Sequence, residues 1–147
     1  MQLSTSDLDI FSNKINSKII DLIEKINPNS SVGLFYPYKN EVDVLRISDV
    51  LINKNIKCSL PKVISKGSSL KYFEYNPHSP NLEKGFGGIM EPKGEKTLDP
   101  DIIIASCSAF NEKGFRVGYG GGFFDRTIEE LKKKGNLKTI LAAFEIQ

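Results

Sequence analysis

Apolar residues recur at helical spacing along the start of the chain. Leu8, Phe11, Ile15, Ile19, Leu22 and Ile26 form one stripe, and Ser4 or Ser6 can cap the helix it predicts, running to about Ile26. The run Asn27-Pro28-Asn29-Ser30-Ser31 stops that helix, and Val32 to Tyr36 is a short apolar strand whose pairing ends at Pro37. A second helix is expected to open at Glu41, with Val44, Leu45, Ile47, Val50 and Leu51 on its buried side, and to end near Asn53 to Asn55. Ile56 to Leu60 reads as a strand stopped by Pro61, and Leu70 to Tyr75 as a third strand. Residues 76–100 carry Pro77, Pro80, Pro92, Pro100 and four glycines, and read as a long irregular segment of the kind that is often functional. A buried run, Asp101 to Ala105, then precedes a glycine loop, a helix bearing Phe124, Ile128 and Leu131 at i, i+4 and i+7, and a last strand, Lys138 to Phe144.

Helices alternating with short apolar strands predict an α/β fold of three layers: a mostly parallel sheet with helices on both faces. The strand C-termini, and with them the glycine loop, then share the edge where such sheets bind ligands, and Tyr36 to Glu41 follows another strand into the same crevice. The 147 residues read as a single domain, 1–147, large enough for a proper core.

Composition narrows the function. A net charge of +2 is too small to argue for nucleic acid, and without Trp, and with Tyr and Phe spread out, there is no base-stacking platform. Lys132-Lys133-Lys134 complements the dipole at the end of its helix. Cys58 and Cys107 lie 49 residues apart with no C-x-x-C, so both are expected to stay reduced, and Cys107 reads as a core residue. His78, the single histidine, cannot belong to a His-pair metal site. No run approaches the length of a membrane span and no signal peptide is recognisable, so a cytoplasmic protein is expected; separately, it is expected to be a monomer.

The chemistry concentrates in Phe115-Arg116-Val117-Gly118-Tyr119-Gly120-Gly121-Gly122-Phe123-Phe124-Asp125-Arg126. Strand, glycine loop and helix N-terminus together hold phosphate through free N–H groups and the positive end of the helix dipole. The loop is neither a G-x-G-x-x-G fingerprint nor a Walker A sequence. Arg116 can neutralise phosphate charge, and Asp125, in the first helical turn, can hold a divalent cation. Two of the chain's three arginines, Arg116 and Arg126, sit here. The plainer alternative is a left-handed turn between strand and helix, with Asp125 only favouring the helix dipole.

This segment, with Asp101-Ile102-Ile103-Ile104 and Ala109-Phe110-Asn111 before it, resembles the signature of the 5-formyltetrahydrofolate cyclo-ligase (5,10-methenyltetrahydrofolate synthetase) family. Tyr36-Pro37-Tyr38-Lys39-Asn40-Glu41-Val42, Leu60-Pro61 and Gly88-Ile89-Met90-Glu91-Pro92 recur in the family's order, so the resemblance spans roughly residues 30 to 147. It implies a magnesium-dependent ligase of folate and one-carbon metabolism. Such an enzyme uses ATP to cyclise 5-formyltetrahydrofolate to 5,10-methenyltetrahydrofolate through a phosphorylated formyl group.

On this reading Arg116 and Asp125 are catalytic, and Asp125 is the Mg²⁺ ligand. Arg116, Val117, Gly118, Tyr119, Gly120, Gly121, Gly122, Phe123 and Phe124 bind ATP, while Glu41 bonds the pterin edge and Tyr36 lines its pocket. For Glu41 a carboxylate that merely favours a helix start is the competing reading. The chain departs from the family pattern at Ser106, where proline is usual, at Asn111, where aspartate is usual, and at Phe123-Phe124, where a Tyr-Tyr or Phe-Tyr pair is usual. It is also expected to lack a basic N-terminal segment and an acidic C-terminal one. Two alternatives follow: a relative that binds nucleotide or folate without turnover, and a generic phosphosugar- or CoA-handling α/β domain, which fits the glycine loop but not the Glu41 segment.

Overall fold

The computed structural model describes residues 4–26, 29–38, 41–94, 96–106, 109–110, 116–117, 122–135 and 137–142, the side chains of 109–110 and 116–117 excepted. Helix α1 spans Thr5–Ile26. Ser4 caps it: its Oγ accepts the Asp7 amide at 3.1 Å and donates to the Asp7 carboxylate at 2.8 Å. Strand β1 is Val32–Gly33, followed by a 3₁₀ turn at Val44–Ile47 that leads into helix α2, Ser48–Asn53. Then come β2 (Cys58–Val63), β3 (Leu70–Tyr75), β4 (Leu82–Lys84), β5 (Met90–Pro92) and β6 (Ile102–Ser106). Two short strands, β7 (Ala109–Phe110) and β8 (Arg116–Val117), precede helix α3 (Phe123–Lys134) and β9 (Lys138–Ala142).

The main sheet has the order β3-β2-β1-β6-β9. Four of its strands run parallel, and β3 closes one edge antiparallel to β2. In β6 all five residues are buried, as a central parallel strand covered on both faces requires. Its side chains alternate between two cores. Ile102 and Ile104 join Ile19 and Ile23 of α1 and Leu51 of α2, whereas Ile103 and Ala105 join Tyr72, Ile128 and Leu131 of the α3 side. The three-layer α/β expectation therefore holds, with α1 and α2 on one face and α3 on the other.

Several local expectations need correction. The buried face of α1 is Ser12, Asn16, Ile19 and Ile23. That face is turned one position past the expected stripe, and Phe11, Leu22 and Ile26 remain 37%, 44% and 38% exposed. No helix opens at Glu41: helical structure starts only with the 3₁₀ turn at Val44, and the Glu41 amide and carboxylate are both bonded to the Tyr38 backbone. Strand β2 does not stop at Pro61. Its pairing with β1 ends at Ser59, so the proline's missing N–H faces no β1 partner, and pairing with β3 continues to Val63. The 76–100 segment is less irregular than expected, since β4 and β5 form a hairpin within it and Phe73 bridges to Thr97.

Candidate functional site at the strand C-termini

The order of the main sheet reverses between β1 and β6. From β1 the chain moves outward to β2 and β3, and from β6 it moves the other way to β9. Such a reversal is where open α/β sheets bind their ligands, outside the C-terminal ends of the two strands. Tyr36, Tyr38 and Glu41 follow β1, and the start of α3 follows β6 and β8.

Leu34 and Phe35 are buried, while Tyr36, Pro37 and Tyr38 are half-buried. The Glu41 amide donates to the Tyr38 carbonyl at 3.2 Å, and the Glu41 Oε1 accepts the Tyr38 amide at 2.7 Å. These two bonds tie Glu41 to the Tyr38 backbone. Downstream, Val42 is wholly buried and Asp43 is held on both sides of its backbone. Its amide donates to Ser12 Oγ at 3.2 Å, and its carbonyl accepts from Asn16 Nδ2 at 2.8 Å. The Asp43 carboxylate pairs with Arg46 at 2.9 Å, and Arg46 pairs in turn with Asp9 at 2.5 Å. Tyr75 lies behind this segment. Burial first, and then Tyr36, Asp49, Cys58 and Asp43, hold its phenol protonated above the ordinary range.

Beyond β8, α3 begins at Gly122, whose φ of 67° is left-handed and suits glycine. A Cβ there would also lie 2.8 Å from Arg126 Nη1. Arg126 folds back over the helix start, with its Cζ 4.9 Å from the centre of the Phe123 ring, which meets Phe86 edge-on at 5.5 Å. Its Nε donates to the Ser68 carbonyl at 3.1 Å. Thr127 Oγ1 accepts the Leu70 amide at 2.7 Å, and Ser69 Oγ donates to Glu130. The turn between β2 and β3 is thus gripped at three successive residues by the first two turns of α3. Beside this grip, a groove of about 410 Å³ runs along α3 from Thr127 to Lys134. Lys134 meets Asp99 there at 3.5 Å.

The structure places the expected residues as follows. Tyr36 and Glu41 are half-buried and follow the C-terminal end of β1. Phe123 flanks the start of α3, Phe124 packs towards both cores, and Asp125 is exposed in the first turn of α3. Arg116 and Val117 form β8, opposite Phe110 and Ala109. Gly118, Tyr119, Gly120 and Gly121 lie outside the described residues, as do Asn111 and Cys107. Ser12, Asn16, Ser68 and Thr127 were not legible as supports of the site. The signal for the first two was their i, i+4 spacing, one position off the apolar stripe.

Among the described residues no three His, Cys, Asp or Glu side chains converge as a ready metal site. A Mg²⁺ that arrives on nucleotide phosphates needs only one or two protein carboxylates, and the exposed Asp125 at a helix start fits that demand. Cys58 is a buried thiol whose pKa is pushed up to about 12 by burial, which makes it a core residue and no nucleophile. Among the described residues no helix is long and apolar enough to cross a membrane.

A mostly parallel α/β sheet whose strand order reverses between β1 and β6, with a glycine-capped helix after β6, defines the class. Comparison with known proteins narrows it. The model of the 5-formyltetrahydrofolate cyclo-ligase family matches residues 6–147, and the chain belongs to that family. It is thereby a member of a family of ring-closing ligases. It is 29% identical over 135 residues to the 5-formyltetrahydrofolate cyclo-ligase of Haemophilus influenzae, a match covering 87% of this chain and 71% of that protein. With the Mycoplasma pneumoniae cyclo-ligase it shares 26% identity over 136 residues, covering 91% of this chain and 73% of that protein. The NMR structure of Aquifex aeolicus 5,10-methenyltetrahydrofolate synthetase superposes with a TM-score of 0.78 at 28% identity, covering 99% of this chain and 72% of that one.

Proposed function

We propose that this chain uses MgATP to cyclise 5-formyltetrahydrofolate to 5,10-methenyltetrahydrofolate. What supports the reading is the family match over residues 6–147, together with a switch point between β1 and β6, the two strands whose C-terminal ends precede Tyr36 and, beyond β8, the start of α3. An N-formyl group is an amide, and its oxygen is a poor leaving group. Phosphorylation solves this: the formyl oxygen attacks the γ-phosphorus and ADP departs. N10 then attacks the activated carbon and loses its proton, and the former formyl oxygen leaves as inorganic phosphate. Catalysis of the first step is positioning and charge neutralisation.

The residues divide the work. Gly118, Tyr119, Gly120, Gly121 and Gly122 offer backbone N–H groups to the phosphates, Val117, Phe123 and Phe124 flank the nucleotide, and Arg116 supplies a fixed positive charge. Asp125 holds Mg²⁺, which when bound neutralises charge on the transferring phosphate. Glu41 accepts hydrogen bonds from the donor edge of the pterin, and Tyr36 lines that pocket. We take the enzyme to work as a cytoplasmic monomer on small molecules, away from nucleic acid and membrane.

The test is direct. The purified chain, given 5-formyltetrahydrofolate, ATP and Mg²⁺, should form methenyltetrahydrofolate, seen by its absorbance, with one ADP released per product. Binding of both ligands without product would leave a binding protein, and the enzymatic reading would fall.

A further inference from the structure

The buried face of α1 carries an anomaly. Four residues define it, and its N-terminal half is polar: Ser12 is 2% and Asn16 5% exposed, while Ile19 and Ile23 continue it as ordinary core. Asn16 Oδ1 is buried and has no hydrogen-bond partner. A buried acceptor left without a partner carries its full desolvation cost. Leucine at this position would extend the Ile19–Ile23 stripe and remove that cost, so packing alone does not account for asparagine.

The two polar side chains share one target. Ser12 Oγ accepts from the amide of Asp43 at 3.2 Å, and Asn16 Nδ2 donates to the carbonyl of the same residue at 2.8 Å. These are long-range bonds, spanning 31 and 27 residues. They fix the backbone two residues after Glu41, with only the wholly buried Val42 between. On its other side Glu41 is fixed by its own bonds to Tyr38. Glu41 therefore sits on a short span of backbone pinned at both ends, beyond the C-terminal end of β1. A carboxylate that must meet two donors on a flat ring tolerates little displacement.

We infer that Ser12 and Asn16 of α1 are positioning residues that set the Glu41 carboxylate for substrate by clamping both sides of the Asp43 backbone. The inference rests on the proposed role of Glu41 towards the pterin. Neither residue touches substrate, and each acts through the peptide backbone.

Calorimetric titration of the full chain with 5-formyltetrahydrofolate tests this, using Asn16→Leu, Glu41→Gln and the double variant, with MgATP titration as the control. Asn16→Leu should weaken folate binding by about 5- to 10-fold while MgATP binding stays within about twofold. The double variant should bind about as weakly as Glu41→Gln alone, because the clamp acts only through that carboxylate. Ser12→Ala gives a milder version of the same loss should Asn16→Leu fail to fold, and Ser12→Thr, which keeps the hydroxyl, should restore binding. Losses that multiply in the double variant, or an equal fall in MgATP affinity, would overturn the positioning role and leave Glu41 as proposed. If Glu41→Gln binds 5-formyltetrahydrofolate as tightly as the unaltered chain, the Glu41 reading itself fails and the inference falls with it.

Discussion

Thr127 Oγ1 accepts the backbone amide of Leu70 at 2.7 Å and donates to the carbonyl of Phe123 at 2.6 Å. One buried hydroxyl thereby joins the first turn of α3 to the antiparallel edge strand β3, across 57 residues of sequence. Thr127→Val keeps the shape and the β-branch but leaves the Leu70 amide without its acceptor. The expected loss is about 1–3 kcal/mol of stability, read by urea unfolding, with no change in the denaturant slope. A Val variant as stable as the parent would show that this amide finds water instead.

Gly122 combines a left-handed φ of 67° with a place where a Cβ would lie 2.8 Å from Arg126 Nη1. Gly122→Ala should cost roughly 1–3 kcal/mol from backbone strain and from pushing the guanidinium off the Phe123 ring. The same change should weaken MgATP binding, since the start of α3 moves with it. Arg126→Met, which relieves the collision, should return part of the stability in the Gly122→Ala background. Additive losses in urea unfolding would show that the two residues do not meet.

How far the fold was legible depended on what decided each element locally. Strand β3 coincides with its expected bounds because alternation and flanking turn residues agree there. Strand β6 follows from an unbroken Ile-Ile-Ile-Ala run, which suits burial on both faces. By contrast, α1 was placed correctly but turned by one position, because its buried face includes Ser12 and Asn16, which bond to the distant Asp43 backbone. A hydrophobic pattern cannot register polar groups that a tertiary contact buries. Glu41 followed the same rule: its carboxylate bonds back to the Tyr38 amide where a helix start was expected. Within the candidate site, Asp125 was singled out by its place after the glycine loop and Tyr36 and Glu41 only by the family resemblance, whereas the bonds of Ser12, Asn16, Ser68 and Thr127 left no trace in the pattern. Ser12, Asn16 and Thr127 bond by their side chains to distant backbone groups, whose place no residue type announces, and Ser68 offers only its own carbonyl.

Cys58 predicts an alkaline limit to stability. It is 1% exposed in β2, and burial raises its thiol from 9.0 to about 12. The folded state therefore holds a proton that the unfolded chain releases. This contribution is fully present below about pH 9 and is lost as pH rises from about 9 towards about 12, by up to about 1.4 kcal/mol per pH unit. Tyrosines titrate in the same range, so the measurement is the difference between the parent and Cys58→Val in urea unfolding at several pH values. The difference should grow in favour of valine above about pH 9, and a pH-independent difference would contradict the buried, protonated thiol. Below that pH, a thiol reagent should leave Cys58 unmodified in the folded protein.

Asp125 carries the last prediction because it separates a metal role from a helix-start role. It stands exposed in the first turn of α3, where a carboxylate favours the helix dipole by about 0.3–1 kcal/mol whether or not a metal is ever bound. Asp125→Asn should therefore cost less than about 1 kcal/mol in unfolding experiments without ligand. In Mg²⁺ it should weaken ATP binding by roughly tenfold or more, equivalent to at least about 1.4 kcal/mol, because an amide oxygen is a poorer ligand for a hard cation. In EDTA the parent and the variant should bind ATP almost alike, and the midpoint of a Mg²⁺ titration at fixed ATP should move to higher concentration in the variant. Turnover should fall further than binding, by on the order of 10²- to 10³-fold, since charge on the transferring phosphate is greatest in the transition state. An equal loss of ATP affinity in Mg²⁺ and in EDTA would assign Asp125 to the shape of the loop, and the Mg²⁺ ligand would have to be sought elsewhere in the chain.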